Sequence, residues 1–160
     1  MSLIKEGKTI TKSQIITEIF DIVYHISSRK TSEGYTYYLM DSIRENLQES
    51  YPVFSLLEIK DTRFSENENL INLNRNIEYL SSKAICHGLK EYIELLNKKL
   101  GKNAGPFFYK EISSRLSQSS NDLMKSYGID LMIMQLEYEI STLEKRILKT
   151  TKKNKNVLKK

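Results

Sequence analysis

The chain has 160 residues, 39% of them hydrophobic, which is one ordinary domain's worth of sequence and enough apolar material for a core without disulfides or metals. Its single cysteine, Cys86, excludes an intrachain disulfide and any multi-cysteine zinc or iron–sulfur cage within one chain. The net charge is +5, and the segment from Lys145 to Lys160 holds eight basic residues and no acidic one, so residues 1–144 carry −3 and argue against a nucleic-acid platform on the folded body.

The first predicted helix runs from about Lys12 to Arg29. Thr11 and Gln14 form a capping box, in which each side chain satisfies the other residue's backbone donor. Ile15, Ile19, Ile22 and Ile26 recur at helical spacing, and Ile16, Phe20 and Val23 widen that stripe into a deeply buried face. Ser32 or Thr31 caps a second helix that ends near Ser50, since Pro52 disfavours a helical Tyr51. Pro52 suits the first position of a short third helix, PVFSLLEIK, with a buried strand as the competing reading of that apolar run. Residues 61–69 read as a polar loop. A long helix is predicted from about Leu70 to Leu100, stopped by Lys98, Lys99 and Gly101. Gly105 and Pro106 open the next helix, whose aromatics Phe107, Phe108 and Tyr109 are the candidate wall of a pocket. A short helix follows, capped by Ser120 or Asn121 and closed at Gly128. The last helix runs from about Asp130 to Lys149. Residues 1–150 thus read as a single all-α bundle of about five to seven helices, and residues 151–160 as a disordered Lys-rich tail without an apolar face.

The clearest pattern lies in that last helix. Ile129, Ile133, Leu136, Ile140, Leu143 and Ile147 are spaced 4, 3, 4, 3, 4, a strict heptad stripe. Ile133, Ile140 and Ile147 occupy position a. Ile129, Leu136 and Leu143 occupy position d, and Glu139 and Arg146 flank the seam at g. Ile at a with Leu at d is the combination of parallel two-stranded coiled coils. Leu131, Met132 and Met134 make the first half apolar nearly all round, so that half is expected inside the body, while the second half carries only the narrow seam. The seam either joins two copies of the chain or packs wholly within one.

Candidate chemistry is sparse. Glu18, Asp21 and His25 share the polar face of the first helix, but the Glu-x-x-His pattern of bundle metal sites is absent there and at His87. Cys86 and His87 are neighbours about 100° apart on a helix, so they cannot serve each other as nucleophile and base. Cys86 reads as a small core residue. The segment His87-Gly88-Leu89-Lys90 is similar to the phosphoacceptor segment of histidine phosphotransfer domains, which are helical bundles with Leu, Lys and Gly two, three and four residues after the histidine. Leu89 and Lys90 fit that pattern. Glu91 stands where the glycine belongs, and would add bulk and negative charge where a phosphoryl group must approach. Phosphate-loop, dinucleotide and nucleophile-elbow motifs are absent. The carboxylate pairs Glu66 with Glu68 and Glu91 with Glu94 read as surface charges.

The expected function is therefore a non-catalytic regulatory or sensory protein-interaction module, homodimeric through the seam residues Ile133, Leu136, Ile140, Leu143 and Ile147. No cofactor and no metal is expected. One alternative is nucleic-acid association through Lys149, Lys152, Lys153, Lys155, Lys159 and Lys160, whose phosphate contacts would be strongly salt-dependent. The other is phosphotransfer with His87 as phosphoacceptor. No stretch approaches the ~18 apolar residues of a membrane helix, and no apolar segment of secretory type opens the chain, so the cytoplasm is the expected location.

Overall fold

The computed structural model describes residues 9–65 and 68–158. Among them are six α-helices and one small hairpin, so the all-α reading holds. Helix α1 spans Lys12–Lys30 and begins with the expected capping box: Thr11 Oγ1 accepts from Gln14 N at 3.1 Å and Gln14 Oε1 accepts from Thr11 N at 2.9 Å. Helix α2, Glu33–Leu47, is capped by Ser32, whose hydroxyl accepts from Tyr35 N.

Residues 52–80 depart from the sequence reading. The expected third helix is only a single 3₁₀ turn, Pro52–Ser55, followed by strand β1, Leu57–Ile59. The start of the expected long helix is strand β2, Ile71–Leu73, and then a 3₁₀ turn, Arg75–Tyr79. The two strands pair antiparallel, with Leu57 opposite Leu73 and Ile59 opposite Ile71. Leu57 and Ile59 point into the core while Glu58 faces out, the two-residue period of a half-buried strand. Asn74 then accepts from Asn76 N with its own side chain, a local bond that competes with helix formation. Helix α3, Ser82–Leu100, starts late because Ser81 is its N-cap and accepts from Ala84 N at 3.1 Å. It ends at Gly101, in the left-handed half of conformational space with φ of 56°, as the sequence predicted.

Helices α1, α2 and α3 pack around Tyr92. Its ring lies 4.7 Å from Phe20 and 5.5 Å from Phe54, and its hydroxyl donates to Met40 O at 2.8 Å. Burial raises the Tyr92 phenol well above its ordinary pKa. Gly88 lets the Pro52–Ser55 turn approach α3 closely, because a Cβ there would stand 3.0 Å from Val53 Cγ1 and 3.4 Å from Phe54 Cε2. Arg44 pairs with Asp41 at 2.8 Å and also donates to Phe54 O, tying the same turn to α2.

Helices α4, Phe108–Arg115, and α5, Gln118–Ser126, complete the body. Helix α4 begins two residues after Pro106, with Phe107 as its N-cap, and not at the proline as the sequence suggests. Ser117, rather than Ser120 or Asn121, caps α5. Glu18 of α1 reinforces that cap: it accepts from Ser117 N, from Ser117 Oγ at 3.0 Å and from Ser120 Oγ at 2.7 Å. Arg29 and Arg115 both bridge to Glu111, which binds α1 to α4.

Helix α6 spans Leu131–Leu158 and continues past the Lys149 end predicted from sequence. No glycine or proline interrupts it after Gly128, and Lys, Thr and Asn can propagate a helix already nucleated. The expectation of a disordered tail thus meets helix at residues 151–158, and Lys159 and Lys160 lie outside the described residues.

Candidate functional site

Helix α6 is anchored to the body over its first three turns only. Asp130 Oδ1 accepts from Met132 N at 2.9 Å and caps the helix. Leu131, Met134 and Gln135 are buried, and Tyr138 and Thr142 are half-buried. Gln135 is the key to the docking. Its Oε1 accepts from Lys110 N at 3.1 Å, satisfying an orphan donor in the first turn of α4, and its Nε2 donates to Pro106 O at 2.8 Å. A buried glutamine in an apolar run carries no distinguishing spacing, which is why sequence reasoning missed it. Tyr138 adds an edge contact to Tyr109, with ring centroids 6.1 Å apart.

The seam lies on the other side of the helix. Ile133, Leu136, Ile140, Leu143 and Ile147 are 53–57% exposed. At 100° per residue, their mean direction is roughly 160° from that of Leu131, Met134, Gln135, Tyr138 and Thr142. This corrects two expectations. The first half of the helix is not enclosed by the body, since Met132, Ile133 and Leu136 face outward. Ile129 does not belong to the seam, because it precedes the helix, follows the left-handed Gly128 and is buried at 2% exposure. From Leu143 to Leu158 every residue is exposed. Lys149, Lys152, Lys153 and Lys155 lie in this stretch.

A cleft of about 630 Å³ opens where α6 leaves the body. Phe107, Pro106, Tyr138 and Leu143 form its apolar walls, and Lys102 and Arg146 stand at it. Of the three aromatics expected to line a pocket, only Phe107 does so. Phe108 and Tyr109 are buried in the core.

The remaining candidates are dispersed. His25 is exposed, and Glu18 is committed to the α5 cap. Burial raises the Asp21 carboxyl above its ordinary pKa, an effect that His25 partly opposes. Among the described residues, no three His, Cys, Asp or Glu side chains are grouped so as to hold a metal ion. Cys86 is fully buried, and desolvation pushes its thiol up to about 11, so it is protonated and shielded at neutral pH. His87 is half-buried on α3, one residue before the tightly packed Gly88, and Glu91 is half-buried one turn further on. Burial also raises the Glu94 carboxyl, while Lys90, 3.9 Å away, lowers it. Glu66 lies outside the described residues.

Among the described residues, no helix is long and apolar enough to cross a membrane. Comparison with family models, with curated proteins and with solved structures finds no match.

Proposed function

We propose that the protein is a non-catalytic, cytoplasmic interaction module of regulatory type that associates with a second copy of itself through α6. The observation that carries this reading is the exposure of a strict heptad seam on the face of α6 that points away from the body. A seam of a and d residues is the surface a coiled-coil partner covers. A partner would also support the distal half of the helix, where every described residue from Leu143 to Leu158 is exposed and tertiary packing contributes little. Covering a half-exposed Ile or Leu is worth roughly 1 kcal/mol, so five such residues on each copy supply a substantial driving force.

Light scattering over a concentration series tests the reading. The full chain is expected to approach twice its 18.7 kDa mass, and the variant Ile140→Asp with Leu143→Asp to remain at the single-chain mass with an unchanged helical spectrum. Equal, monomeric masses for both would remove it.

A second reading, nucleic-acid association, is favoured by one observation. Lys149, Lys152, Lys153 and Lys155 are all exposed on the distal part of α6, and the stretch has no aromatic to stack on bases. Contact would therefore be made to phosphates. Binding of single- or double-stranded nucleic acid should fall steeply with salt and vanish when the four lysines are replaced by alanine. Binding unaffected by both changes would eliminate this alternative.

A further inference from the structure

The charges beside the seam determine how a second copy would lie, an inference that rests on the self-association proposed above. With Ile133, Ile140 and Ile147 at a and Leu136 and Leu143 at d, position e holds Glu137 and Glu144, and position g holds Glu139 and Arg146. Residues at e and g face the partner helix and set its orientation. In a parallel pair, each g residue meets the e residue of the partner's next heptad. Glu139 would then oppose Glu144 of the second copy, twice by symmetry, while Arg146 would meet the neutral Thr151. The distal lysines of both copies would also lie side by side.

In an antiparallel pair, g meets g and e meets e. Layering Ile140 on Leu143 of the second copy, and Leu136 on Ile147, sets Glu139 opposite Arg146 twice. Glu137 then faces Glu144, so the number of opposed glutamates equals that of the parallel pair. The two Glu139–Arg146 pairs are what only the antiparallel arrangement gains.

The wider charge pattern agrees. From Asp130 to Glu144 the segment holds four acidic residues and no basic one, while Lys145 to Lys155 holds six basic residues and no acidic one. Antiparallel packing lays the basic half of one helix along the acidic half of the other and opposes the two helix dipoles. Within α6 Glu139 accepts from Gln135 Nε2 at 3.0 Å, which leaves its charge uncompensated, and neither Glu137, Glu139 nor Glu144 has a cation three or four residues further along the helix. The body holds the opposite face of the helix through Leu131, Met134 and Gln135. It borders the seam at its two edges, with Glu139, Leu143 and Arg146 at the cleft beside Pro106 and Phe107 and with Ile133 and Glu137 near Lys90 of α3. The rule that Ile at a and Leu at d favour two strands selects among parallel assemblies and does not itself fix direction.

We propose that α6 pairs antiparallel with α6 of a second copy, with Glu139 of each helix on Arg146 of the other. Cysteine cross-linking in the full chain tests it, since native Cys86 is buried and does not compete. Leu136→Cys and Ile147→Cys are oxidised separately and as an equimolar mixture. A covalent dimer in the mixture alone is the expected result, and a dimer of Leu136→Cys with itself would overturn the antiparallel arrangement. Dimeric mass by light scattering with no cross-link in any sample would also overturn it, whereas monomeric mass throughout would remove the self-association on which it rests. As a check free of cysteine geometry, Arg146→Glu should weaken the dimer by about tenfold, and adding Glu139→Lys should restore it. An unchanged dimer in Arg146→Glu would mean that Arg146 faces no charge, as the parallel pair requires.

Discussion

Helices α1 and α6 carry stripes of isoleucine at similar spacing and put them to opposite use. In α1, Ile15, Ile19, Ile22 and Ile26 are at most 8% exposed; in α6, Ile133, Ile140 and Ile147 are more than half exposed. The difference lies in the width of the stripe. Ile16, Phe20 and Val23 broaden that of α1 into a face that only a surrounding core can cover. After Ile140 only Leu148 flanks the α6 stripe before the lysine-rich end, and the residues that hold the helix to the body, Met134, Gln135 and Tyr138, belong to another face altogether. Apolar content alone therefore does not locate a helix in the core. The angular breadth of the apolar face does, and a seam confined to a and d belongs to a one-helix partner.

Substitutions on the two stripes should separate cleanly. The largest effect is expected from Ile19→Ala, which removes a fully buried side chain from α1: denaturant unfolding should show a loss of about 2–5 kcal/mol. Gln135→Ala comes next. It strands Lys110 N and Pro106 O, costs about 1–3 kcal/mol, and should speed amide exchange in the first turns of α6 and α4 more than in α1. A uniform rise in exchange would mean that α6 and the body unfold as one unit. Gly88→Ala, by pressing on Val53, should cost about 1–3 kcal/mol and leave α6 untouched. The smallest effect on the body is expected from Ile140→Ala, within about 0.5 kcal/mol at concentrations where the chain is monomeric. If Ile140→Ala destabilised the monomer as much as Ile19→Ala, the contrast between the helices would collapse.

Alkaline pH probes the core alone. The Cys86 thiol ionises near 9.0 when solvated and at about 11 in the fold, so between those values the unfolded chain holds fewer protons than the folded one. Stability from this group is complete below pH 9 and declines as pH rises toward 11. In the native protein at pH 8 the thiol should resist a disulfide reagent that labels it at once in denaturant. Rapid native labelling would show that the core around α3 opens locally.

Much of this architecture was legible in local chemistry. The Thr11–Gln14 box, the Gly101 stop and the heptad spacing of α6 depend on residues within a few positions of each other, and each is found where the sequence put it. The largest errors of secondary structure fell between Pro52 and Leu80. There a helix-compatible run, Leu57–Ile59, found its partner in Ile71–Leu73, and a pairing across a loop leaves no short-range signal. Asn74 and Ser81 were the available warnings, since both residue types favour turns and caps over helix interiors.

By itself, the sequence determined an all-α chain whose last helix bears a narrow seam flanked by opposite charges, because spacing and charge order are properties of one helix. Only the tertiary structure decided which way that seam points. Direction depends on Gln135 reaching Pro106 and Lys110 and on Tyr138 meeting Tyr109, contacts between segments about 30 residues apart, and those contacts turn Ile133, Leu136, Ile140, Leu143 and Ile147 to the solvent.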